Sequence, residues 1–79
     1  MADATEIDRA IKAMVRDINP GAPDLDDDTD LSAVLDSLDF VDLIFNLQER
    51  FSVPIPDEAI EEHGLTRLGA LVRYVAARA

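Results

Sequence analysis

There is no cysteine in this sequence of 79 residues, which excludes a disulfide framework and a thiolate metal site. Basic side chains are scarce, with seven Lys and Arg against seventeen Asp and Glu and a net charge of −10. Contact with a nucleic-acid backbone would be repulsive, so no nucleic-acid partner is expected. A basic protein surface is the natural complement. Long apolar runs are also missing. The opening Met1-Ala2-Asp3-Ala4-Thr5-Glu6 begins with acids and reads as neither a secretory signal nor a membrane span, which makes a reducing cytoplasm the expected compartment. No internal repeat is visible. The length leaves room for one domain, residues 1–79, expected as a monomer whose stability must come from a small apolar core.

What is present is helical periodicity. Asp3 with Glu6 reads as a helix start, and Ile7, Ile11, Met14, Val15 and Ile18 recur with helical spacing. Asn19-Pro20-Gly21 ends that helix, because proline cannot continue it. A second helix is predicted from Ser37 to Phe51. Asp36 directly precedes the apolar run and Asp39 follows three residues later, a carboxylate form of the capping box. Asp36 is thus the N-cap and Ser37 the first helical residue, where unpaired N–H groups and the positive end of the helix dipole favour an anion.

Projected at about 100° per residue, this helix has two apolar strips. Phe40, Leu43, Ile44, Leu47 and Phe51 form a core-facing stripe, while Leu38, Val41 and Phe45 form a second strip edged by Asp42 and Glu49. The second strip is either covered by another helix of the domain or is a docking surface with apolar anchors in an acidic rim.

Val53-Pro54-Ile55-Pro56 must be extended, since each proline disfavours helix in the residue before it. Asp57 reads as the N-cap of a short helix running from Glu58 to about Glu62, with Ile60 its core contact and His63-Gly64 its end. Thr66 is expected to open the last helix, with Leu68, Leu71, Val72 and Val75 on one face and Arg67, Arg73 and Arg78 in water. The fold class is therefore all-α: a small four-helix bundle of three main helices and one short one. The long connection from Pro20 to Leu35 needs anchors; Leu25, Leu31, Val34 and Leu35 are the candidates, and Leu31-Ser32-Ala33-Val34 could form a single turn.

Two features invite chemistry and do not sustain it. Counted as a calcium loop from Asp24, the aspartate cluster puts Thr29 where glycine is needed and Leu35 where a bidentate glutamate is needed. It reads as a solvated acidic loop, and no metal site is expected. Ser37 as a hydrolase nucleophile would need a nearby base and an oxyanion hole. Leu35 and Asp39 stand where the glycines of a nucleophile elbow belong, and the only histidine, His63, sits at the end of another helix as a capping cation. No catalytic residue is assigned and the chain is not expected to be an enzyme.

Asp36-Ser37-Leu38 at a helix head, the acidic and apolar helix that follows, and Phe51-Ser52-Val53-Pro54-Ile55-Pro56-Asp57-Glu58 after it together resemble the acyl carrier proteins of fatty-acid and polyketide synthesis. The resemblance covers nearly the whole chain, including the long first loop. It implies that Ser37, flanked by Asp36 and Leu38, carries 4′-phosphopantetheine taken from coenzyme A, whose thiol holds acyl groups as thioesters. It implies partners as well: a phosphopantetheinyl transferase and acyl-loading and acyl-transferring enzymes with basic docking surfaces. These would read Leu38, Asp39, Val41, Asp42, Phe45 and Glu49. An acyl pocket lined by Phe40, Leu43, Ile44, Leu47, Ile55, Ile60 and Leu68 is implied too, from residues that are equally the expected core.

The sequence departs from the family pattern at Val34, where glycine is common; at Gln48 and Arg50, frequently acidic; and at Phe40, often small. These departures suggest a specialised carrier. Alternatives are an aminoacyl carrier of the alanyl type, similar at Leu35-Asp36-Ser37 and Leu47-Gln48, or an unmodified acidic adaptor binding through the Leu38, Val41 and Phe45 strip.

Overall fold

The structure is a computed structural model that describes residues 2–79. Met1, the first residue of the segment read as lacking a targeting signal, lies outside them. Five helices follow in order: α1 (Ala4–Ile18), α2 (Leu31–Val34), α3 (Ser37–Phe51), α4 (Asp57–His63) and α5 (Leu68–Arg78). The bundle is all-helical, as the periodicity predicts, with α2 the single turn foreseen in the long loop.

The caps explain where α1 and α3 begin. Asp3 Oδ1 accepts from the Glu6 N–H at 2.8 Å, and Asp36 Oδ1 accepts from the Asp39 N–H at 2.8 Å. Each aspartate satisfies one of the N–H groups that a helix start leaves open. Helix α1 lays Ile7, Ile11 and Val15, all fully buried, chiefly against α5 and also against α3. The opposing surfaces supply Leu43 and Leu47 from α3 and Leu68, Leu71 and Val75 from α5, also fully buried. Phe51, assigned to the core stripe, is only half-buried and packs at the edge of the cluster.

Two predicted helix starts need correction. Asp57 is the first residue of α4, not its cap; Pro56 holds the cap position without a side-chain hydrogen bond. Thr66 does not open α5 either. Thr66 ends a turn and Arg67 is extended; the Leu31 N–H donates to the Thr66 carbonyl at 2.7 Å, and Asp30 pairs with Arg67 in an isolated antiparallel backbone bridge. The first N–H groups of α5 are then taken by the long loop: Leu68 donates to the Thr29 carbonyl at 3.0 Å and Gly69 to that of Asp27 at 2.9 Å. A backbone cap from a distant loop replaces the side-chain cap that local reasoning sought in Thr66.

That same contact requires glycine. A Cβ on Gly69 would stand 2.9 Å from Asp27 Cβ and 3.1 Å from the Asp27 carbonyl oxygen. Alanine would favour the helix intrinsically by about 1 kcal/mol, but overpacking of this kind costs about 1–3 kcal/mol. Gly69→Ala is expected to lower Tm in a thermal melt; an unchanged or higher Tm would mean that the loop yields freely.

The other anchors of the long connection are Leu31 and Leu35, both buried, with Leu25 and Val34 partly buried against the same cluster. Asn19 Nδ2 donates to the Val34 carbonyl at 3.2 Å and ties the end of α1 to α2. The aspartate cluster is folded on itself. Asp26 Oδ1 accepts from the Asp28 N–H and from the Thr29 hydroxyl. Among the described residues no group of three or more potential ligands gathers. Gly64 ends α4 in the left-handed region at φ 62°, and the following Leu65, which periodicity does not single out, is fully buried.

Candidate functional site

Ser37 is exposed at the first position of α3. The cap on its N-terminal side leaves the positive end of a helix of 15 residues beside the hydroxyl. Before it an open groove of about 520 Å³ runs between α2, α3 and α4. Leu35, Phe40, Val41 and Ile60 give the groove an apolar floor, and Ser32, Asp57 and Glu61 give it a polar edge. Ser32, the other hydroxyl in the groove, is engaged, donating to Asp30 Oδ1 at 2.6 Å. That bond and the Ser32 N–H hold the Asp30 carboxyl below its usual range. Its stabilisation is complete above the ordinary aspartate pKa and is lost as pH falls through the lowered value.

Along α3 the acidic and apolar residues separate as the projection implies. Leu38, Val41 and Phe45 are 78%, 59% and 57% exposed, so no other helix of the domain covers that strip. Asp36, Asp42 and Glu49 are exposed and Asp39 is half-buried among them. Partial desolvation, then repulsion from Asp36 and Asp42, pushes the Asp39 carboxyl above its usual range. The sign is opposite to that of Asp30: the ionised form is disfavoured in the fold, so the penalty is present at neutral pH and is lifted by acid.

The seven residues expected to line an acyl pocket divide into two sets. Leu43, Leu47 and Leu68 are fully buried in the core. Phe40, Ile44, Ile55 and Ile60 line a hollow of about 130 Å³ between α3 and α4, with Val41, Phe45, Gln48 and Asp57 completing its wall. Four wall members lie outside the expected seven: Val41 and Phe45, read as docking anchors, Asp57, read as a cap, and Gln48, to which sequence reasoning gave no place in the pocket. Its Oε1 accepts the Ile55 N–H at 2.7 Å. A signal was available, because Ile55 stands between two prolines and its N–H is the only amide donor of the extended Pro54–Pro56 segment. His63 lies elsewhere, its ring 5.4 Å from that of Tyr74 and tilted against it.

The family described as "Phosphopantetheine attachment site" matches residues 9–75, which runs from the first turns of α1 to the last of α5. Among curated proteins, the chain is similar to the acyl carrier protein of Wolinella succinogenes, 45% identical over 40 residues, or 51% of this chain and 50% of the relative. It is similar also to the acyl carrier protein of Prochlorococcus marinus, 44% identical over 43 residues, 54% of this chain and 51% of the relative. That of Helicobacter pylori is 48% identical over 40 residues, 51% of this chain and 49% of the relative. The matched part spans about half the length of these curated relatives. No solved structure matches the chain significantly. On a family match that reaches from α1 into α5, the chain belongs to the phosphopantetheine-attachment family.

Proposed function

We propose that Ser37 is the attachment point, that the groove before it receives the arm, and that residues 1–79 act as one carrier domain presenting acyl groups to partner enzymes. The observation that supports this best is the exposed Ser37 hydroxyl at the capped head of α3, opening on a groove inside the matched region. The groove suits 4′-phosphopantetheine chemically. Its apolar floor fits the dimethyl-bearing part of the arm, its polar edge fits the amides, and the helix head favours the phosphodiester charge. When bound, the group supplies a thiol that holds an acyl chain as a thioester, chemistry that a chain without cysteine cannot supply itself.

The protein's own residues then do three things. Ser37 Oγ becomes the ester oxygen, Asp36 fixes the helix start that displays it, and the α3 face identifies the carrier to its partners. Leu38, Val41 and Phe45 give the apolar anchors, and Asp36, Asp39, Asp42 and Glu49 the acidic rim. A phosphopantetheinyl transferase and acyl-handling enzymes with basic surfaces would dock there weakly and in a salt-sensitive way. No catalytic role is assigned to the chain.

The test is an intact mass after incubation with coenzyme A and a broad-specificity phosphopantetheinyl transferase. Gain of one phosphopantetheine is expected; no gain overturns the proposal. The docking face has its own test. Asp39→Lys is expected to slow loading several-fold at low salt, with a smaller effect at high salt and the domain still folded by circular dichroism. An unchanged loading rate at low salt would remove the electrostatic part.

A further inference from the structure

The groove at Ser37 and the hollow between α3 and α4 share Phe40, Val41, Asp57 and Ile60 in their walls. The two adjoin, and Gln48, which lines only the hollow, lies about 16 Å along the helix axis from Ser37 at 1.5 Å per residue. The hollow is small. A dry cavity of about 150 Å³ holds one benzene ring, so the 130 Å³ of the hollow matches a short cargo of about that size.

The hollow is also polar at Gln48. The carbonyl of the Gln48 amide is engaged by the Ile55 N–H at 2.7 Å, which fixes the orientation of the group. The NH2 end is left as the donor of a half-buried side chain in the wall of an otherwise largely apolar hollow. A hydrocarbon chain filling the hollow would strip water from that donor and give nothing back. A hydroxyl or carbonyl oxygen on the cargo would accept from it.

Resting on the reading of Ser37 as the attachment point, we propose that Gln48 is a specificity-determining residue and that the hollow selects short, oxygen-bearing acyl groups.

The test loads Ser37 with butyryl, 3-hydroxybutyryl, 3-oxobutyryl and dodecanoyl pantetheine from the corresponding coenzyme A thioesters, each load verified by intact mass. Gln48 is the only glutamine of the chain, so its side-chain NH2 is one identifiable pair in a 15N–1H spectrum, with Asn19 and Asn46 as controls. That pair should shift with both oxygenated cargoes and hold its position with butyryl. One neutral hydrogen bond corresponds to about five-fold in the sequestered population. Attack of hydroxylamine on the thioester should therefore be slower by up to about five-fold for the oxygenated cargoes, each normalised to the same acyl group on free pantetheine. Dodecanoyl should raise Tm no more than butyryl does.

Gln48→Glu keeps an acceptor for the Ile55 N–H and removes the donor. It should leave the Tm of the unloaded protein near that of the wild type and erase the discrimination. Equal shifts and equal protection for butyryl and 3-hydroxybutyryl, discrimination that survives Gln48→Glu, or a largest Tm gain with dodecanoyl would each overturn the inference while leaving attachment intact. No gain of mass with any thioester would overturn the attachment reading and the inference together.

Discussion

Ser37→Ala is expected to abolish the gain of one phosphopantetheine completely while leaving Tm within about 3 °C of the wild type, as for a surface substitution away from caps and core. The two halves of the result have separate causes. The serine is exposed, and the hydrogen bond that starts α3 belongs to Asp36 and the Asp39 N–H, so alanine removes the hydroxyl and leaves the cap in place. Alanine is also a strong helix former. The rival acceptor in the groove is Ser32, whose hydroxyl is held by Asp30 at 2.6 Å and has no reason to be selected. Intact mass and a thermal melt on the same sample make the check. A residual gain in the variant would move the attachment to another hydroxyl, and a large fall in Tm would make the loss of loading a loss of fold.

The largest effect on stability is expected from Leu47→Ala. Leu47 is fully buried in the core cluster, on a helix that packs against α1. Truncating a buried leucine removes its transfer free energy and leaves a cavity, costing about 2–5 kcal/mol. A domain of this size has a total stability on the order of 4–12 kcal/mol. The variant thus loses a large fraction of it, and Tm should fall by about 10–30 °C. Phe45→Ala on the same helix removes a larger side chain but one that is 57% exposed, and should cost about 1 kcal/mol or less. Denaturant titrations compare the two: the midpoint should fall steeply for Leu47→Ala with an unchanged slope, and little for Phe45→Ala. Comparable losses would mean that the Leu38, Val41 and Phe45 strip is structural and not a free face.

Periodicity and capping chemistry were enough to place α1 and α3. Both are long, both begin at an aspartate with its acceptor in reach, and both carry a stripe of residues at helical spacing whose middle the core buries, while Met14, Ile18, Phe40 and Phe51 are only partly buried against it. Ser37 at the head of α3 was legible for the same reason, since a cap is a contact between residues three apart. The Leu38, Val41 and Phe45 strip was legible as a strip, but whether anything covered it was not, because a projection shows which residues share a face and not what lies opposite.

Three features were decided only by tertiary structure. The start of α5 was misplaced at Thr66 because its N–H groups are met by the Thr29 and Asp27 carbonyls, about forty residues earlier in the chain. The seven-residue pocket divides because Leu43, Leu47 and Leu68 face the centre of the bundle while Phe40, Ile44, Ile55 and Ile60 face the seam with α4, a difference of orientation that hydrophobicity does not encode. Gln48 stands out in the sequence only as a departure from an acidic pattern, and the packing adds a role as the acceptor that holds the Ile55 N–H of the extended exit segment. Local sequence fixes which hydrogen bonds and which apolar stripe a helix can offer within a few residues of itself. Which distant carbonyl or side chain answers each offer depends on how the helices pack, and that is where the seam beside Ser37 was settled.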